Sequence, residues 1–310
     1  MYGNQHMNAP KVSICIPTYK QVEYLRRTLE SIQIQRFKDY EVVITDDSPD
    51  DSVKDAVKMF DFQGKLKYFK NVRSLGSPEN WNEAVDKALG KYIKLLHHDD
   101  WFTNEYSLKK FVELLDNNPQ ADFGFSASTV WTIDSEKRWI NKASKNQLEN
   151  LLNDPRYLFF VNFIGAPSST IYRKSVEERY DHKLKWLVDL DFYIRVLEKN
   201  NKFAFCIEPL ICVADGSEHQ VTRVCENNKE VELFEHLHLF KKIQDSKLPL
   251  KEYRAFFKNL FARYNVRSYD EIKELGIEFP QLESWFKSII LMSRLRVLKE
   301  GFVSSLKSRF

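Results

Sequence analysis

Short apolar runs alternate with helix-spaced segments over residues 11–100, and this rhythm leaves the chain very few folds to choose from. Residues 12–16 form a β-branched run closed by Pro17 and Thr18. Val22, Leu25, Leu29 and Ile32 then recur on one helical face, which predicts a helix over 22–34. Residues 41–45 read as a second buried strand, stopped by Asp46, Asp47, Ser48 and Pro49, and 52–60 as a helix. A third strand is expected at 66–69, a helix at 78–89 ending on Gly90 in the C′ position, and a fourth strand at 92–96. Such alternation implies a mostly parallel sheet with helices on both faces. Sheets of this kind bind ligands outside the carboxyl ends of their strands. Pro17-Thr18-Tyr19, Asp46-Asp47 and His98-Asp99-Asp100 all stand there, so they are expected to share a crevice.

Carboxylates at strand ends commonly cap the next helix or turn. That use accounts for Asp46-Asp47 as well as a binding role does. Asp99-Asp100 is harder to explain that way, because adjacent like charges repel unless a cation lies between them. Hard oxygen ligands suit magnesium or manganese, which also bridge substrate phosphates. Tyr19, just past a strand end, is either rim packing or a ring on which a nucleobase stacks.

Beyond residue 121 the pattern turns mixed. Residues 123–130 and 169–172 read as strands, 187–198 as a helix, and 203–207 and 210–213 as two extended runs. From about residue 227 only helical spacing remains. The expected organisation is therefore a tag-derived or disordered terminus over 1–10, an α/β domain over 11–225 with halves meeting at residue 100, and a helical region over 226–310. Asp191 and Arg195 are spaced for a surface ion pair along a helix. Asp189, at the head of that helix, is either its N-cap or a general base, which needs only one carboxylate beside an acceptor hydroxyl. His219 is an exposed loop histidine, a further metal ligand or a contact to a substrate diphosphate.

Lys and Arg total 47 against 44 Asp and Glu, a net charge of +3. Nucleic-acid-binding domains carry a more lopsided basic face, so nucleic acid is not an expected partner. The four cysteines, Cys15, Cys206, Cys212 and Cys225, form no C-x-x-C pair. Neither a zinc knuckle nor a redox motif is therefore supported, and a reducing, cytoplasmic compartment is expected. Cys15, inside an apolar run, is read as a small buried hydrophobe. No apolar run approaches the roughly eighteen residues of a spanning helix, and residues 1–10 lack the apolar centre of a secretory signal.

Together the clusters resemble the family 2 glycosyltransferases of the GT-A fold. The resemblance rests on Val12-Ser13-Ile14-Cys15-Ile16-Pro17-Thr18-Tyr19, on Glu41-Val42-Val43-Ile44-Thr45-Asp46-Asp47-Ser48, and on Gly90-Lys91-Tyr92-Ile93-Lys94-Leu95-Leu96-His97-His98-Asp99-Asp100. It covers roughly residues 11–225 and implies a Rossmann-like α/β fold, with the C-terminal helical segment outside it. By this resemblance Pro17, Thr18 and Tyr19 line a nucleobase pocket. Asp47 accepts from the base imide N–H, which favours uracil or thymine. Asn82 and His98 join the donor site, Asp99 faces the ribose, and Asp100 holds Mn2+ or Mg2+ with His219 as a further ligand. Asp189 falls where the family carries its catalytic carboxylate, and Gly165-Ala166-Pro167-Ser168-Ser169 where the acceptor side is shaped. Departures stand at Lys20, where asparagine is common, at Trp81, where arginine is common, and at Val188, where glutamate is frequent. His97 replaces the first residue of the usual aspartate-x-aspartate.

The implied reaction is inverting transfer from a UDP- or dTDP-linked sugar to a hydroxyl of a saccharide or lipid-linked saccharide, in surface polysaccharide synthesis. A sugar-nucleotide nucleotidyltransferase would need a glycine-rich phosphate loop after the first strand, and Pro17-Thr18-Tyr19-Lys20-Gln21 has no glycine. A non-catalytic nucleotide-sugar binder would not need Asp47, Asp100 and Asp189 together. Residues 288–310 mix Ile289, Ile290, Met292, Leu295, Leu298, Phe302 and Leu306 with Arg294, Arg296, Lys299, Lys307 and Arg309, and Glu300 is their only acid. A basic amphipathic helix of this kind either packs on the catalytic domain or lies in a membrane interface. Peripheral attachment to the inner face of a membrane is the expectation.

Overall fold

The computed structural model describes residues 9–132, 135–216, 221–244 and 250–307. The expected N-terminal tag lies almost wholly outside these residues, and His219 lies outside them too. The chain divides into two compact units, one up to Arg223 and one from Val224 onward.

In the first unit the order is β1 (Val12–Thr18), α1 (Val22–Gln33), β2 (Tyr40–Asp46), α2 (Ser52–Lys58), β3 (Leu66–Lys70), α3 (Glu79–Lys87), β4 (Tyr92–Leu95) and β5 (Trp101–Phe102). There follow α4 (Ser107–Asp116), β6 (Phe123–Thr132), β7 (Lys137–Asn141), α5 (Lys145–Asn153), β8 (Thr170–Arg173), α6 (Val188–Lys199) and β9 (Phe203–Asp215), and the short α7 (Val221–Cys225) runs across the division. The strands form one sheet in the order β3-β2-β1-β4-β8-β6-β9-β5, with β7 paired to β6. β1 runs parallel to β2 and β4, β2 to β3, and β6 to β9, whereas β8 runs against both of its neighbours.

The period-two pattern of β1 divides its side chains between two layers. Val12, Ile14 and Ile16 join Leu25, Leu29 and Ile32 of α1, Val53 and Val57 of α2 and Phe111 of α4 in one apolar cluster. Cys15 points the other way, with its Sγ 3.5 Å from the Ala84 carbonyl of α3. It is fully buried, as expected of a small hydrophobe. Each fully buried Leu or Ile in these layers contributes about 1.5–3 kcal/mol relative to an exposed one.

Two expectations are corrected here. Gly90 is not a helix C′ residue, because α3 ends at Lys87 and Ala88 is already extended. Its task is close approach: its N–H donates to Ser13 Oγ at 2.7 Å, and a Cβ there would stand 2.5 Å from the Ser13 nitrogen. The two extended runs near 203–213 are one strand, β9, whose register against β6 shifts between Cys206 and Pro209 and again before Ile211. An irregularity of this kind interrupts the alternation on which sequence patterns depend.

The second unit consists of α8 (Lys229–Ile243), α9 (Leu250–Arg263), α10 (Asp270–Glu274) and α11 (Glu283–Lys307). Phe240 is its centre, with ring centroids 5.0 Å from Tyr253, 5.2 Å from Phe257 and 6.0 Å from Phe286. Ile289 and Ile290 are buried on α11, so they belong to this core and not to a membrane face, whereas Leu291 and Leu295 are each 58% exposed. Among the described residues no helix is long and apolar enough to cross a membrane.

Replacing Gly90 by alanine should lower the unfolding free energy by about 1–3 kcal/mol, the usual cost of forcing a methyl into packed backbone. Urea denaturation of the G90A variant against wild type measures it. An unchanged midpoint would show that the α3–β4 turn can yield.

Candidate functional site

Parallel pairing sets the carboxyl ends of β1, β2 and β4 side by side, with Thr18 opposite Asp46 and Cys15 opposite Leu95. The three polar clusters therefore meet, as the alternation predicts. Their members take different tasks.

Asp46 is wholly buried and belongs to the framework. It accepts from Thr18 Oγ1 at 3.3 Å, the Ser48 N–H at 2.8 Å, Tyr68 Oη at 2.7 Å and Lys70 Nζ at 3.0 Å. Burial alone would raise its pKa, but the bonds from Ser48, Tyr68 and Lys70 outweigh this and hold the carboxyl below its usual range. Asp47 turns outward to the 71–76 loop, accepting from Asn71 Nδ2 at 2.6 Å, from the Leu75 N–H at 3.1 Å and from the Gly76 N–H at 2.7 Å. Most of the acceptor capacity expected to meet a base imide is taken up by that loop. Pro17 and Thr18 are buried, and the Tyr19 ring is 48% exposed with Lys20 Nζ 5.1 Å from its centroid. Lys20 and Gln21 both hold left-handed φ angles, 57° and 51°, and this bend carries the chain from β1 into α1.

Two donor-site expectations shift. Asn82 uses its whole amide on one peptide, donating to the Tyr180 carbonyl at 2.9 Å and accepting the Tyr180 N–H at 3.0 Å. His98 turns Nδ1 to the Pro17 carbonyl at 3.3 Å, tying the end of β4 to that of β1. His97 instead joins the acids: one ligand atom each of His97, Asp99 and Asp100 lie within 4.8 Å of one another. This brings Asp99, expected to face a ribose, into the same group as Asp100.

Burial and the neighbouring Asp99 charge push the Asp100 carboxyl well above its usual range. Ala214 donates its N–H to Asp100 Oδ1 at 3.2 Å, and Thr28 Oγ1 donates to the carbonyls of His98 and Asp100 at 2.8 Å each. Burial pushes the His97 imidazole down to about 4, so the ring is neutral at pH 7. It packs 4.6 Å from Trp81, and its Nε2 is buried with no hydrogen-bond partner among the described residues. A neutral imidazole nitrogen beside two carboxylates is a donor set suited to a divalent cation.

Beneath this group lies Lys94, fully buried within β4. Burial lowers its pKa to about 7 against the pull of Asp100, and its ammonium donates to the Ser168 carbonyl and sits 4.4 Å from the Phe111 centroid. Ser168 also takes the His97 N–H on its Oγ at 2.9 Å. The 165–169 segment thus supports the acidic cluster from below.

Asp189 is the second residue of α6, so it is not the N-cap, which is Leu187. Its Oδ1 accepts the Leu190 N–H and its Oδ2 accepts Asn162 Nδ2, both at 2.9 Å. Asn162 also caps the bend that follows by accepting the Gly165 N–H at 2.9 Å. The Asp191–Arg195 pair forms as spaced, with Nη2 to Oδ2 at 2.6 Å, but Asp191 is buried and not on the surface. Sequence reasoning missed Lys94 and Asn162, and it named His97 and Ser168 without the contacts they make here. Lys94 left a signal as a cation inside an apolar strand, and His97 as the first residue of the His-Asp-Asp triplet.

Residues 13–181 match the family model described as Glycosyl transferase family 2. An uncharacterized glycosyltransferase of Methanocaldococcus jannaschii is 32% identical over 209 residues, covering 66% of this chain and 71% of that protein. The GalNAc(5)-diNAcBac-PP-undecaprenol beta-1,3-glucosyltransferase of Campylobacter jejuni is 34% identical over 29% of this chain and only 30% of its own length. Among solved structures, TarS residues 1–349 of S. aureus with UDP-GlcNAc superpose at a TM-score of 0.61, with 19% identity over 93% of this chain and 82% of that one. The mannosyltransferase PcManGT of Pyrobaculum calidifontis, with GDP-Man and Mn2+, superposes at 0.57, with 14% identity over 94% and 88%. These likenesses establish the GT-A fold. With a family match over more than half its length and a relative of this identity, the chain belongs to glycosyl transferase family 2.

Proposed function

We propose that the chain transfers a sugar from a uridine diphosphate sugar to a hydroxyl of a saccharide or lipid-linked saccharide, with inversion. The observation that carries this reading is the grouping of His97, Asp99 and Asp100 at the end of β4, on the crevice that the Tyr19 ring borders. The His97 Nε2, with no hydrogen-bond partner among the described residues, lies beside two carboxylates and fits a metal. His97, Asp99 and Asp100 would hold Mn2+ or Mg2+, which when bound neutralises charge on the nucleoside diphosphate leaving group. Tyr19 offers a half-exposed ring to the base, and Asp47 keeps the Leu75-Gly76 loop in place on the same side. The UDP-GlcNAc complex of TarS supports uridine, and the Mn2+ complex of PcManGT supports the metal.

Asp189 takes the proton of the acceptor hydroxyl. Asn162 and the Leu190 N–H each hold one of its oxygens, which fixes the plane of the carboxylate at the head of α6. Attack from the face opposite the leaving group inverts the anomeric centre, so one base suffices. A lipid-linked acceptor is supported by the Campylobacter relative, whose name gives a PP-undecaprenol saccharide. Such an acceptor brings the enzyme to a membrane. Leu291 and Leu295, exposed on α11 near Arg294 and Arg296, provide an apolar and basic face for anionic lipid.

Asp100→Ala should abolish transfer and remove the manganese dependence of donor binding in a thermal-shift titration. Transfer that persists in excess chelator overturns the metal role. Asp189→Asn should lower kcat by about two to four orders of magnitude while the Kd for the nucleotide sugar stays unchanged. A collapse of donor binding instead would make Asp189 structural.

A double Leu291→Glu, Leu295→Glu variant should stop floating with phosphatidylglycerol vesicles that carry the wild type. Truncation is the wrong test, because Phe286, Ile289 and Ile290 are core. Wild-type protein that never floats removes the membrane role.

A further inference from the structure

A group of cations and indoles lies next to the acidic cluster, and nothing in the proposed reaction so far uses it. The Arg27 guanidinium of α1 stacks on two rings at once, 4.6 Å from the Trp101 centroid and 4.9 Å from that of Trp131. The two indoles meet edge to face at 5.6 Å. Arg138 lies 5.9 Å over the Trp131 ring. Sheet register explains the convergence. Trp131 of β6 lies between Arg138 of β7 and Ala214 of β9, while Trp101 of β5 pairs with Cys212, two residues before Ala214 on β9. All these side chains therefore share one face of the sheet.

The group adjoins the reaction centre. Trp101 directly follows Asp100, Arg27 directly precedes the Thr28 that holds the Asp100 carbonyl, and Ala214 donates to Asp100 Oδ1. The thiol of Cys212, between them, feels the charges of Asp100, Arg138 and Arg27 together. Both arginines are exposed, and neither has an ion-pair carboxylate among the described residues. An arginine stacked on an aromatic face keeps its in-plane N–H donors available, and their fork geometry matches phosphate. Two such forks, neither ion-paired among the described residues, favour a dianionic or repeated phosphate over a neutral sugar. The adjacent indole surface suits the apolar face of a sugar ring or an alkyl chain.

We propose that Arg27, Arg138, Trp101 and Trp131 form a site for a phosphate group carried by the acceptor. The proposal rests on the glycosyltransferase reading, and it makes the acceptor a phosphorylated saccharide or polyol and not a neutral glycan. A lipid diphosphate and a phosphodiester polymer offer the same chemistry, and the test separates them.

The full chain is titrated in a calorimeter with three probes: farnesyl-diphosphate-linked N-acetylglucosamine in micelles, a short glycerol-phosphate oligomer, and neutral octyl glucoside. UDP is titrated in parallel. At least one phosphate probe should bind wild type, and the Arg27→Gln, Arg138→Gln double variant should bind it about tenfold or more weakly, the loss expected of charge-assisted bonds. Arg27→Lys, which keeps the charge and loses the fork, should fall between the two. UDP affinity should be unchanged in every variant. Whichever phosphate probe binds identifies the source. Arg138→Gln alone serves if the double variant melts early. Three results each overturn the proposal: no phosphate probe binds better than octyl glucoside, the variants bind as wild type does, or UDP affinity falls with the arginines. Failure of the glycosyltransferase reading is seen separately, as wild type that neither hydrolyses nor transfers from any nucleotide sugar while these equilibria stand.

Discussion

Four donors from two strands and the turn after β2 converge on the buried carboxylate of Asp46, and the crevice is built around that point. Thr18 reaches it from β1, Ser48 from the turn, and Tyr68 and Lys70 from β3. A carboxylate withdrawn from water is tolerated only when its lone pairs are filled in this way. Filled, it locks the carboxyl ends of three adjacent strands in register. The neighbouring Asp47 can then hold the 71–76 loop, and Tyr19 can stand at the rim, because their backbones are already fixed.

Below β4 the charge balance has a similar logic. Lys94 is buried at the cost of a lowered pKa, and Asp100 is buried at the cost of a raised one. Each eases the other at a distance, while Ser168 connects them through its carbonyl to the ammonium and its hydroxyl to the His97 N–H. His97, Asp99 and Asp100 are thereby presented as a preformed group with little freedom to collapse on themselves. Preorganisation of this kind is what a site for a highly charged donor requires.

The first half of the fold could be read from the sequence because β1, β2 and β4 are buried throughout and its helices are amphipathic, so apolar runs and helical spacing stand out in residues such as Ile14, Ile16, Leu25 and Leu29. Local pattern failed where pairing is irregular or tertiary. β5 is two residues long, β7 is almost wholly exposed, and β9 shifts register at Cys206, so none of the three carries a clean alternation. The clustering of the acids was legible, since strand ends in a parallel sheet must adjoin. The separation of tasks within each pair was not. Whether Asp46 or Asp47 faces inward, or whether His97 or His98 joins the acids, depends on which side of a turn each residue leaves. Partners far away in sequence decide that: Tyr68, Asn71, Trp81 and Ser168. Asn162 left no trace at all, because its only signal is spatial closeness to Asp189.

Arg195 has no part in the proposed chemistry, yet the fold constrains it closely. It lies one helical turn after the wholly buried Asp191, grips Oδ2 with two N–H groups, and hands a further bond to the Arg179 carbonyl. Removing one partner of a buried ion pair costs about 3–5 kcal/mol, a sizeable share of what holds a domain folded. Lysine could supply the charge but not the fork. Substitution at this position is therefore penalised by folding alone, and α6 keeps its first turn, with Asp189 on it, in a fixed pose through a residue outside the proposed chemistry.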